Sequence, residues 1–283
     1  EDRIEESELA HLSGYRVSRP VRIGNAAYGQ RQLDIYGEVL DCAYLFHKHG
    51  GVIAEELWVF LRAVVEHVCR VWTEPDQGIW EVRSGPAHFV YSKALCWVAV
   101  DRGITLARGC DLPADLDRWE RVRDTIHEEL LREGYNTEVG AFTQAYGQPH
   151  LDAAALALPL RKVIPATDPR MAATIDRVAA GLGRDGLLHR YAVDHVDDGV
   201  GGGEGYFLMC SFWLVECYAL LGRTDEARAL FERLLGHAND VGLYAEELDP
   251  DSGHHLGNFP QAFTHVALIN AALSLERAAG ASS

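Results

Sequence analysis

The sequence has little positive charge to offer. Of its 283 residues 26 are Lys or Arg against 42 Asp or Glu, a formal net charge of −16, and no stretch concentrates the bases. A nucleic-acid groove needs clustered Lys and Arg to displace counterions, and an anionic bilayer surface asks for the same, so neither is expected as a partner. Long hydrophobic runs are missing too: none approaches the roughly 18–20 residues that span a bilayer. There is no CxxC pair among Cys42, Cys69, Cys96, Cys110, Cys210 and Cys217. Most of these lie inside apolar helical runs, where cysteine behaves as a small hydrophobe, which reads as a reduced, cytoplasmic chain. The glycines at 199 and 201–203 are followed by no phosphate-binding pattern, and no cofactor is expected. Asp194-x-x-Asp197-Asp198 lacks the full pattern of an EF-hand loop, and the adjacent His254 and His255 are poorly placed to converge on one ion, so no metal site is expected.

What is present is helix. A hydrophobic fraction of 48% leaves ample material for a core, and from Leu33 onward the patterning divides into nine helices of two kinds. Those near 54–73, 113–133, 171–182 and after Thr224, read as an N-cap, carry an i, i+3, i+4 apolar stripe: Leu57, Phe60, Leu61, Val64, Val65 and Val68 in the first, Leu116, Trp119, Val122, Ile126 and Leu130 in the second. Those at 91–109, 151–160, 204–221 and 259–279 are apolar on nearly every side, which marks them as buried all round; Leu33 to His49 is intermediate. The buried set begins near 33, 91, 151, 204 and 259, a spacing of roughly 53–60 residues, with short links after each buried helix and long ones before the next. That alternation predicts an all-α fold of helical hairpins: an inner ring of parallel helices, an outer ring antiparallel to it, and every long loop at one end. Nine helices make four and a half hairpins where a closed (α/α)6 barrel has six, so three more helices are expected upstream of Leu33. Residues 1–283 read as one domain, with 1–14 irregular.

The long loops gather carboxylates, guanidiniums, amides and indoles at that one end. Such a mixture suits a sugar, whose hydroxyls need polar partners and whose ring face stacks on aromatics. Two loops each place a glutamate beside an aromatic residue: Gly78-Ile79-Trp80-Glu81-Val82-Arg83 and Gly242-Leu243-Tyr244-Ala245-Glu246-Glu247. Paired carboxylates are the minimum equipment for cleaving a glycosidic bond.

Here the sequence resembles glycoside hydrolase family 15, which contains glucoamylases, trehalases and related α-glucosidases. The first loop, with Phe89-Val90-Tyr91-Ser92-Lys93, resembles the family's general-acid segment. The second, with Gly257-Asn258-Phe259-Pro260-Gln261, resembles its general-base segment. Arg22-Ile23-Gly24-Asn25 with Gln32-x-Asp34, and Leu188-His189-Arg190-Tyr191 with Glu204-Gly205, resemble substrate-binding segments. The resemblance runs from about Gly14 to Leu275 and implies an (α/α)6 barrel, inverting hydrolysis of terminal α-linked glucose, Glu81 as general acid and Glu246 as general base. Glu247 is the competing base or a binding residue. Arg83 and Arg190 match sugar-gripping positions, with a salt bridge to Glu204 or Glu246 as the plainer alternative. Trp80 and Tyr191 are candidate stacking platforms or else loop anchors; Gln32 and Asp34 bind sugar or cap the next helix. Trp97 and Trp213 belong to the core. Nothing matches the family's upstream Arg-Asp pair. Ile79 and Trp80 are expected to surround Glu81 with a poorly solvated neighbourhood that keeps it protonated. Bacterial members of the family point to trehalose or another small α-glucoside; α-1,4-linked oligosaccharides are the alternative. A non-catalytic sugar-binding relative or a helical scaffold would share parts of this pattern without needing both glutamates.

Overall fold

A computed structural model describes residues 4–14, 17, 19–192, 204–249 and 251–280; Arg16, Asp194, Asp197, Asp198 and the glycines at 199 and 201–203 lie outside them. Among the described residues the helices are α1 (Asp34–Lys48), α2 (Glu55–Val71), α3 (Val90–Gly109), α4 (Leu116–Glu133), α5 (Ala157–Leu160), α6 (Pro169–Gly181), α7 (Leu208–Leu220), α8 (Thr224–Leu235) and α9 (Ala262–Gly280). Helices α4 and α6 start on aspartate caps: the side chain of Asp115 accepts from the N–H of Arg118, and that of Asp168 from the N–H of Arg170, with Pro169 at the first helical position. Thr224 is not a cap but the first helical residue, preceded by Arg223.

The two helix kinds separate as their patterning requires. In α3 and α7 burial runs round the whole circumference, and packing proceeds in chain order from α1 to α3, to the 153–160 segment, to α7 and to α9. Helices α2, α4, α6 and α8 bury one stripe each: Trp58, Leu61, Val65 and Val68 in α2, Trp119, Ile126 and Leu130 in α4. Phe60, at the margin of the expected stripe, is exposed instead. Trp97 and Trp213 are partly buried and packed against the core. The expected 151–160 helix is shorter and mixed, a 3-10 turn at Ala153–Leu156 running into α5. Helices α1 and α3 meet closely at Gly37, where any Cβ would collide with the main-chain oxygen of Leu95.

Polar links bind the inner helices as well. Tyr91 Oη donates to Glu38 Oε1 at 2.8 Å, Arg161 Nη2 donates to both oxygens of Glu38 at 3.0 and 2.9 Å, and Arg102 Nε donates to Asp41 at 2.8 Å. The two ends of the inner row expose apolar side chains: Ile35 and Phe46 on α1, Phe263, Val266 and Ile269 on α9.

Strand is confined to pairs of residues, mostly in the long loops. These are β1 (Ser7–Glu8), β2 (Arg22–Ile23), β3 (Tyr135–Asn136), β4 (Ala141–Phe142), β5 (Gly183–Arg184), β6 (Leu187–Leu188), β7 (Tyr206–Phe207), β8 (Glu247–Leu248) and β9 (His255–Leu256). Strand β1, inside the 1–14 stretch read as irregular, pairs antiparallel with β2; two residues carry no periodicity that a sequence pattern could register. Hydrogen bonding also runs between consecutive loops. Phe89 bridges Ala145, Asp152 bridges Tyr191, and β7, β8 and β9 form one antiparallel sheet in which Tyr206 faces Leu248 and Leu248 faces His255. The long-loop end is therefore one continuous belt of main chain.

Candidate active site

The acid segment is a tight turn clamped from beneath. Asp76 and Ala87 close its base in an isolated bridge, and Gln30 Nε2 donates to the main-chain oxygens of both Glu81 and Val82 at 3.1 Å. Gln32 donates to Gln30 at 3.2 Å, so it supports this clamp. Glu81 itself has φ 55°, the left-handed region that non-glycine residues seldom occupy. Backbone strain of this kind survives only where the surroundings fix it. The turn sends successive side chains opposite ways: Trp80 inward, Glu81 outward. Glu81 is exposed, so the apolar enclosure expected of Ile79 and Trp80 does not surround it.

Trp80 is fixed in place. Its Nε1 donates to both oxygens of Asp152 at 2.9 and 3.0 Å, and its ring lies edge-on to Phe207 and Tyr191. The Arg190 guanidinium stands 5.4, 5.2 and 5.3 Å from the rings of Trp80, Tyr191 and Phe207, within cation–π range of all three. Arg190 is also ion-paired with Glu204, the plainer of its two readings. Tyr191 is 0% exposed, so it cannot serve as a platform for a sugar; it anchors the loop under Arg190.

The base segment is built from β8 and the turn after β9. Glu246 Oε2 accepts from the N–H and the Nδ2 of Asn258, and its Oε1 accepts from Gln261 Nε2, all at 3.1 Å. A carboxylate offers about four lone-pair sites; three are occupied, which leaves one on Oε1 for a water. The neighbouring Glu247 points the other way, accepting from the N–H of Gly205 at 3.0 Å. Burial, with the nearby Glu204 carboxylate, pushes it up to about 7. A group so enclosed is poorly placed to activate a water, which favours Glu246 as base and leaves Glu247 tying β8 to the 204–205 segment.

Two predicted binding residues stand apart from this cluster. Arg83 donates to Glu6 at 3.1 Å, not to Glu204 or Glu246. Asp34 is buried at the head of α1, where burial and the nearby Asp76 raise it to about 7. It is the first residue of α1, with Leu33 at the cap position, and its Oδ1 has no hydrogen-bond partner. Sequence reasoning missed Asp152. Asp152 was legible only as a residue ahead of an apolar helix, and its bond to Trp80 spans 72 positions. Among the described residues no group of three or more His, Cys, Asp or Glu could hold a metal ion.

Helical hairpins set side by side thus carry, on their long loops, a donor-held carboxylate at Glu246 and an exposed glutamate at Glu81 on a strained turn. The chain belongs to glycosyl hydrolases family 15, whose sequence profile it matches over residues 1–273. It is 49% identical over 278 residues to the trehalase of Mycobacterium tuberculosis, covering 98% of this chain and 41% of that protein. Among solved structures it is similar to a wild-type glycosidase at a TM-score of 0.76 and 22% identity, covering 92% of this chain and 72% of that one. A bacterial glucoamylase complexed with acarbose follows at a TM-score of 0.71 and 14% identity, over 88% and 41% of the two chains. The chain thus spans about two fifths of the length of the trehalase it matches.

Proposed function

We propose that this chain supplies the catalytic loops of an inverting trehalase. Glu81 protonates the departing glycosidic oxygen while Glu246 draws a proton from a water on the opposite face of the glucose ring, so the attacked glucose leaves as the β anomer and the departing glucose of an α,α-linked trehalose as the α anomer. The observation that carries the reading is the 49% identity to a trehalase across nearly the whole chain, with both glutamates in long loops at the same end of the helices. The three donors on Glu246 support its role, since they hold the carboxylate in one orientation and leave a lone pair for water. Gln32, Glu204 and Arg190 act from behind these loops by holding them in register, and the negative charge of the chain suits a neutral sugar substrate.

The test is glucose release by the intact natural polypeptide from trehalose, maltose and maltotriose, with the anomer followed by NMR. Trehalose is expected to be cleaved best, with α- and β-glucose appearing initially in equal amounts. Glu81→Gln should lower kcat about 10²–10⁴-fold, the usual scale for losing a general acid. Better turnover of maltotriose than of maltose or trehalose would replace this reading with an exo-acting glucoamylase. Release of α-glucose alone from trehalose would remove the inverting mechanism.

A further inference from the structure

We propose that Asp152 is the positioning residue of the acid glutamate: through the Trp80 indole it fixes the turn that carries Glu81. The inference rests on Glu81 being the general acid. Asp152 sits ahead of the 153–156 turn and caps it, taking the N–H of Ala154 on Oδ1 at 2.7 Å. Capping needs only one side-chain oxygen, and Asn or Ser would serve as well. The rest of this carboxylate is spent elsewhere. Its Oδ2 takes Gln144 Nε2 at 3.1 Å, and both oxygens share the Trp80 N–H. An Asn here would turn an NH₂ group toward one of these donors. Three N–H groups on two oxygens require an acceptor-only side chain, which is a carboxylate.

The position is costly, which argues that the bonds matter. Asp152 is 4% exposed, and burial pushes its carboxyl up to about 6 against the pull of Trp80, Ala154 and Gln144. Its main chain is equally committed, bridging Tyr191, while the N–H of Ala153 donates to the Arg190 oxygen at 2.8 Å. Asp152 therefore joins three successive loops: the acid turn, the 134–152 loop and the Arg190 loop. Trp80 and Glu81 are consecutive, so a rotation of the ring is passed directly to a backbone already held at φ 55°.

The experiment is a mutant cycle on the intact enzyme with trehalose as substrate. Trp80→Phe removes the shared bond and Asp152→Asn sets an NH₂ group against one of its three donors; the Phe variant keeps an aromatic ring in place should the Asn variant fail to fold. Each is expected to lower kcat about 10–100-fold with KM within about twofold, the scale of a misplaced catalytic group. The double variant should be no slower than the worse single one. In a Glu81→Gln background Asp152→Asn should have no further effect, whereas a role in general structure would lower the residual rate again. Additive losses, a rise in KM alone, or a further loss in that background would overturn the proposal. If Glu81→Gln is inactive while Asp152→Asn runs at the wild-type rate, this inference fails alone. If Glu81→Gln is fully active, the general-acid assignment fails and this one with it.

Discussion

Gly257 shows how narrowly the base carboxylate is fitted. It has φ +71°, and a Cβ there would lie 2.7 Å from Glu246 Oε2. Gly257→Ala is expected to displace the carboxylate, lowering kcat at least tenfold while destabilising the fold by about 1–2 kcal/mol. Gly253 is the matched control: its φ is +66° and nothing stands within 4 Å of an added Cβ. Gly253→Ala should cost similar stability and leave kcat nearly unchanged, so kinetics and thermal melts of the pair separate backbone strain from the clash. At this scale the sequence was informative about identity and silent about direction. Glu81 and Glu246 stand out because their segments are distinctive. That Tyr191 turns inward, that Arg83 pairs with Glu6, and that Asp152 holds Trp80 are facts of long-range packing that no local pattern encodes.

Between elements, the long-loop ends depend on buried polar clamps. Lys93, 1% exposed on the inner helix α3, donates from Nζ to the carbonyl oxygens of Trp72 and, at 2.7 Å, Glu74, just past the end of α2. It closes carbonyls that a helix C-terminus otherwise leaves open, with its charge at the favourable pole. Lys93→Met keeps the volume and abandons both oxygens; denaturant titration should show a loss of about 1–3 kcal/mol. The helices themselves were readable: all-round apolar against striped separates inner from outer, and the inner starts fall at 34, 90, 153, 208 and 262. Only the third departs, where the expected helix is a 3-10 turn and one short α-turn. The two-residue strands were not readable, because pairing rather than periodicity makes them.

Across the molecule, several carboxyl groups among the described residues are buried without a full ionic partner. Burial raises Asp34, Glu216 and Glu247 to about 7 and Asp152 to about 6. Each holds its proton in the folded chain at a pH where the unfolded chain has released it. Their contribution to stability is therefore full below about pH 4 and is lost as pH rises through 6–7, on the order of 3 kcal/mol per group. The net charge of −16 acts in the same direction, since self-repulsion grows as the carboxyls ionise. The thermal midpoint should accordingly be higher at pH 5 than at pH 8. Glu216, which accepts from Ser274 Oγ at 3.1 Å and lies on α7 away from the loops, gives the clean check. In Glu216→Gln the gap between the two midpoints should narrow by several degrees, with the gain appearing at pH 8.

The belt of main chain around the long-loop end has a consequence for how such a protein tolerates damage. Phe89 to Ala145, Asp152 to Tyr191, and Tyr206 to Leu248 are links from one loop to the next rather than within a loop. After a cut in one loop, the stump that carries the bridge stays stitched to its neighbour. Continuity of the rim is thus carried sideways, like hoops on a cask, and does not depend on any single stave being whole.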